Sequence, residues 1–230
     1  MTSARDVVLL AGLWLTGDTW SPVAEELERL GHRPLVPRLP GADDARATAT
    51  LDDQLEAVLA VVDRAERPVV VGHSAAATLA WLVADRRPED VSRVVLVGGF
   101  PGTDGSPYAD LFPVVDGVMP FPGWAPFEGP DAADLDEPAR RRLAEAAVPV
   151  PVGVARATVH LADPRRHTVP VTLVCPEFGP DDVRAWLAAG ELPELERADL
   201  SLVDLDSGHW PMLTRPVELA RLLVGLPAEG

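Results

Sequence analysis

Residues 69–77 read Val-Val-Val-Gly-His-Ser-Ala-Ala-Ala. Three β-branched residues favour a strand, and the small residues that follow let the chain turn sharply into a helix. A serine on such a turn holds a strained backbone. Only small residues two positions before and two after it avoid collision, a need that Gly72 and Ala76 meet. The turn exposes the Ser74 hydroxyl and aims the backbone N–H of Ala75 at an oxyanion forming on an attacked carbon. Gly-x-Ser-x-small also occurs by chance, so the strand before and the helix after carry the expectation that Ser74 is a nucleophile. His73 is expected to pack beside the turn rather than act as a second base.

The surroundings fit such a turn. Short β-rich runs at 7–10, 32–37, 68–72, 91–98, 171–175 and 200–206 alternate with longer helical patterns. That rhythm predicts an α/β fold, a mostly parallel, doubly wound sheet covered on both faces. Leu51, Leu55, Val58, Leu59 and Val62 lie on one helical stripe, Trp81 and Leu82 fall in the helix after Ser74, and Val217, Leu219, Leu222 and Leu223 form a last apolar stripe. With 230 residues, 47% of them apolar, one domain spanning 1–230 is expected. Residues 101–168 break the rhythm with Pro, Gly and aromatics such as Tyr108, Phe112 and Phe127. This stretch is expected to be an inserted lid, with a helix over 131–148.

Two more segments complete a chemical constellation. Residues 203–211 read as a strand ending in a loop that carries His209, the last histidine of the chain. A base on the loop after the final strand can take a proton from a serine on the elbow and return it to the leaving group. At the end of the first run, Leu9-Leu10-Ala11-Gly12-Leu13-Trp14 places a second backbone N–H, that of Leu13, where it can complete an oxyanion hole with Ala75.

These residues resemble the α/β-hydrolase superfamily, in particular its small esterase and hydroxynitrile-lyase-like branch. The likeness rests on Ala11-Gly12, Trp20, 37–41 (Pro-Arg-Leu-Pro-Gly), 72–75 (Gly-His-Ser-Ala), 207–212 (Ser-Gly-His-Trp-Pro-Met) and 215–220 (Arg-Pro-Val-Glu-Leu-Ala), spread over the chain outside the lid. It departs at Ala11, where many relatives carry His, and at Ala76, where a second glycine is usual. The resemblance implies a catalytic acid, usually Asp, on the loop after the penultimate strand. Here that position falls near Phe178 or Gly179. Glu177, one step away, is the first candidate. Asp181 also suits a helix N-terminus, Asp104 lies on the earlier loop that some relatives use, and a Ser–His pair without an acid is a fourth arrangement.

Composition narrows the partners. A net charge of −16, with all 20 basic residues Arg, disfavours nucleic acid and anionic membranes. Residues 7–15 read as a strand, not a signal-peptide core. The single Cys175 excludes an intrachain disulfide and points to the cytoplasm; it is expected to be a buried strand residue. His160, Asp163 and His167 lack metal-ligand spacing, so no metal and no cofactor are expected. The expected partner is a small-molecule substrate, in a pocket lined by some of Trp14, Phe100, Phe121, Trp124 and Trp210. Hydrolysis of an ester, thioester or lactone through an acyl group on Ser74 is the first functional expectation. A hydroxynitrile-lyase-like proton transfer is the second, weakened because the chain has no Lys. A ligand-binding protein with weakened chemistry is the third.

Overall fold

Each of the six β-rich runs forms a strand in the computed structural model, which describes residues 4–226. In chain order the elements are β1 (Asp6–Leu10), α1 (Ser21–Arg29), β2 (Arg33–Leu35), α2 (Leu51–Val62), β3 (Val69–His73), α3 (Ala76–Arg86), β4 (Arg93–Val97), β5 (Val118–Met119), α4 (Glu137–Ala146), β6 (Val150–Pro151), α5 (Val152–Ala155), β7 (Val171–Cys175), α6 (Pro180–Ala188), β8 (Leu200–Asp204), α7 (Pro211–Thr214) and α8 (Pro216–Gly225). The main sheet is parallel throughout, in the order β2-β1-β3-β4-β7-β8.

Alternation along the strands divides the core in two. Val7, Leu9, Val69, Val71, Val95 and Val97 pack with Val23 and Leu27 of α1 and Leu219 and Leu223 of α8. Val8, Leu10, Val70, Val94 and Leu96 pack with Leu55 and Val58 of α2, Leu79 of α3 and Val183 of α6. Period-two side-chain direction thus feeds both covering layers, as a doubly wound sheet requires.

Two helices show how sequence sets their ends. Thr50 caps α2: its hydroxyl accepts the Asp53 N–H at 3.1 Å while the Asp53 carboxylate accepts the Thr50 N–H at 2.8 Å. The helix expected over 131–148 begins later, at Glu137. Residues 130–132 instead form a separate 3-10 turn, and Asp136 starts α4 by accepting the Ala139 N–H at 2.8 Å, with Pro138 inside the first turn. Between β4 and β7 the chain also forms the small antiparallel pair β5–β6.

The topology locates the functional end of the sheet. From β1 the chain moves to β2 on one side and then returns to β3 on the other, which opens a crevice at the C-terminal ends of β1 and β3. Residues 11–14 and Ser74 lie there. Helix α3, which follows Ser74, is buried from Ala76 to Asp85, and Trp81 is fully buried with its indole N–H donating to Glu194 Oε2 at 3.0 Å. Trp81→Ala is expected to lower unfolding stability by about 3–5 kcal/mol. Chemical denaturation would measure it, and a loss under about 1 kcal/mol would mean that the helix is held by other contacts.

Candidate active site

Ser74 has φ of 54°, a left-handed conformation that costs a non-glycine residue roughly 1–2 kcal/mol. Its backbone is gripped on three sides. Its N–H donates to the carbonyl of Val97 at 2.9 Å. A Cβ on Gly72 would sit 2.2 Å from the carbonyl oxygen of Ala76, and one on Gly99 would sit 2.2 Å from that of Ser74. Hence only glycine fits at either place, and Gly99, which no sequence motif marks, seals the elbow just after β4.

The loop after β1 presses on the same point. A Cβ on Gly12 would lie 3.0 Å from the Cβ of Ser74 and 2.8 Å from Nδ1 of His73. Trp14, two residues on, is also left-handed, at φ of 62°. Left-handed backbone therefore stands on both loops that would bind an oxyanion. Among the described residues, the N–H groups of Leu13 and Ala75 have no acceptor within the chain.

His209 follows β8, and its Nδ1 lies 2.6 Å from Oε1 of Glu177, the residue reached two positions after β7. Both side chains are largely buried, at 13% and 12% exposure. The other acid candidates are engaged elsewhere: Asp104 accepts the N–H of Leu161 at 2.9 Å, and Asp181 is paired with Arg184 on the exposed first turn of α6. Phe178 turns away to pack with Phe100 and Trp186.

The aromatics expected to line one pocket fall into two groups. Trp14 contacts Phe112, Phe121 and Phe127, and Trp210 contacts Trp124 and Phe127 while touching the His209 ring edge-on at 5.0 Å. Phe100 is in the other group, with Phe178 and Trp186. Cys175 is buried in β7, and burial pushes its thiol up to about 12. Among the described residues, no three His, Cys, Asp or Glu side chains are grouped to hold a metal ion, and no helix is long and apolar enough to cross a membrane.

Residues 7–222 match the model of the Alpha/beta hydrolase family. The chain belongs to that family. No curated protein matches it in sequence. Several solved structures share its fold over nearly their whole length. An extracellular α/β-hydrolase from a Paenibacillus species, described as sharing structural and functional homology with tobacco salicylic acid binding protein 2, has a TM-score of 0.79 and 19% identity, over 96% of this chain and 98% of that one. Methylesterase MES16 from Arabidopsis gives 0.73 and 15%, over 96% and 98%. Tomato methylketone synthase I, solved with 2-tridecanone, gives 0.71 and 17%, over 97% of each chain.

In this α/β-hydrolase the histidine of the elbow has a structural task. His73 is 1% exposed, and its Nε2–H donates to the carbonyl of His209 at 2.7 Å. Burial, then the charge of His209, hold its pKa well below the ordinary 6.5. Burial likewise lowers His32 and His167. The unfolded chain therefore binds more protons than the folded one just below pH 6.5, so stability present above that pH is lost as pH falls. Thermal unfolding midpoints are expected to drop from pH 7 to pH 5. His73→Gln keeps an N–H for the His209 carbonyl and removes the titration. It should flatten the slope by up to about 1.4 kcal/mol per pH unit; an unaltered slope would exclude His73 as a source of the acid sensitivity.

Proposed function

We propose that this chain hydrolyses small carboxylic esters, thioesters or lactones through an acyl-enzyme on Ser74. The observation that carries this reading is the 2.6 Å contact of His209 Nδ1 with Glu177 Oε1, on loops that meet the left-handed Ser74 at one end of the sheet. Glu177 fixes the Nδ1–H tautomer of His209, which leaves Nε2 free as the base. Oγ of Ser74 attacks the acyl carbon as its proton passes to His209 Nε2. The imidazolium is paired with the Glu177 carboxylate, and the N–H groups of Leu13 and Ala75 bind the negative oxygen. The tetrahedral intermediate then expels the alcohol or thiol, which takes the proton from His209. Water, deprotonated by the same nitrogen, attacks the acyl carbon, and the carboxylic acid leaves as Oγ regains its proton. Water is the only co-reactant.

Esterase and hydrolase names among proteins of the same fold agree with this reading. A fluorophosphonate probe should label Ser74, and short nitrophenyl esters should turn over. Ser74→Ala should abolish both, and Glu177→Gln should lower kcat by roughly 10³–10⁴-fold, as loss of the orienting carboxylate does in a triad. Absence of labelling, or turnover unaltered in Ser74→Ala, removes the proposal.

Segment 101–168 acts in this reading as the lid, and its aromatics favour an apolar substrate. Trp14 lines both a cavity of about 30 Å³ against Gly12 and Leu13 and a groove of about 510 Å³ beside Leu135 and Leu143. Trp14→Ala should join these spaces. The ratio of kcat/KM for octanoyl over acetyl nitrophenyl ester is then expected to rise by about tenfold or more; an unchanged ratio would show that Trp14 does not limit chain length.

A further inference from the structure

Two groups that hold the backbone of the base come from the segment between β4 and β7. The N–H of His209 donates to the carbonyl of Asp131 at 2.7 Å, and the N–H of Gly208 donates to Oδ2 of Asp134 at 2.8 Å. Both acceptors belong to the segment between β4 and β7, and Gly208 is buried against it. A Cβ on Gly208 would fall 2.4 Å from the Asp131 carbonyl oxygen and 2.4 Å from Asp134 Oδ1, so residue 208 approaches this segment as only glycine can. From the opposite side, His73 binds the His209 carbonyl at 2.7 Å.

We infer that Asp134 is a positioning residue for the base: its carboxylate, on the Gly208 N–H, acts with the Asp131 carbonyl, on the His209 N–H, to fix the backbone that carries the imidazole. The inference rests on the reading of Ser74 and His209 as a nucleophile–base pair. It gives the inserted segment a second task. Besides covering the site, it supplies two of the hydrogen bonds that seat the base backbone, alongside that of His73 and that of the Ser207 hydroxyl, which donates to the Gly208 carbonyl at 3.0 Å. A peptide with one tether missing can shift, and displacements near 1 Å in a catalytic group cost up to about 100-fold in rate. Among the described residues Asp134 has no hydrogen bond to Ser74 or to the ring of His209, so for a short acyl group its loss is expected in kcat rather than in KM.

The experiment compares the wild type with Asp134→Ala and Asp134→Asn. Asn keeps an oxygen that accepts the Gly208 N–H, whereas Ala keeps none. Asp134→Ala is expected to lower kcat for a short nitrophenyl ester, and the rate of Ser74 labelling, by about tenfold, with KM within about twofold of wild type. Asp134→Asn should restore most of the loss. Amide hydrogen exchange in the intact proteins should rise at residues 208 and 209 in the Ala variant alone. Unchanged kcat and exchange in Asp134→Ala overturn the inference. An equal loss in Asn and Ala also overturns it, because the carboxylate charge would then matter rather than the tether. If the wild type does not label at Ser74, the hydrolase reading fails by itself, and exchange at 208 and 209 still decides whether Asp134 holds the loop.

Discussion

The site depends on a peptide backbone bent the wrong way at one residue. Ser74 has φ of 54°, and nothing in its own side chain favours that geometry. The surrounding structure enforces it: Val97 takes its N–H, Gly72 and Gly99 let backbone approach where a methyl group would overlap, and α3 is buried along nearly its whole length. A strain of roughly 1–2 kcal/mol is small beside the burial of a helix carrying Leu79, Trp81 and Leu82. The core therefore holds a conformation that a solvated turn would release. The half-buried placement of Ser74 at this turn follows from the packing below it.

A parallel sheet explains why residues so distant meet. Gly12, Ser74, Glu177 and His209 each follow a strand, β1, β3, β7 and β8, and each lies beyond its C-terminal end. Because all strands run the same way, those ends share one edge of the sheet. Sequence separation of 136 residues between His73 and His209 becomes a hydrogen bond of 2.7 Å. The strand order also leaves β1 and β3 as neighbours whose connections depart in opposite directions, so the crevice between them is free for a loop and an elbow.

This geometry divides what the sequence discloses from what it conceals. The central strands are legible because unbroken runs of Val and Leu announce burial on both faces, and α2 because its leucines recur at helical spacing. The sharp turn at Ser74 is legible because small residues stand between an apolar strand and a helical pattern. Phe100 was not placed by its identity: an aromatic in aperiodic chain has no stated direction, and here it joins Phe178 and Trp186. By sequence, Asp131 and Asp134 fall within the helix expected over 131–148. Their bonds to residues 208 and 209 span more than 70 residues, and no local pattern encodes them. Gly98-Gly99 at the end of β4 was a usable sign of close approach that residue type alone did not tie to the elbow.

Position 177 shows how a carboxylate reaches His209 from outside the expected place in the chain. The family resemblance would set an Asp near Phe178 or Gly179, and the ring of Phe178 instead completes an aromatic cluster with Phe100 and Trp186. The carboxylate must then reach His209 from one residue earlier, and glutamate has one more methylene than aspartate with which to do so. Room for the longer arm comes from β4. Gly98, at φ of 59°, carries no Cβ, and one built there would come within 3.3 Å of both Glu177 Oε2 and His209 Nδ1. Phe178, Glu177 and Gly98 are thus one coupled solution. A lone Glu177→Asp change would shorten the arm without moving the backbone, while any side chain at 98 would crowd the space that the arm occupies.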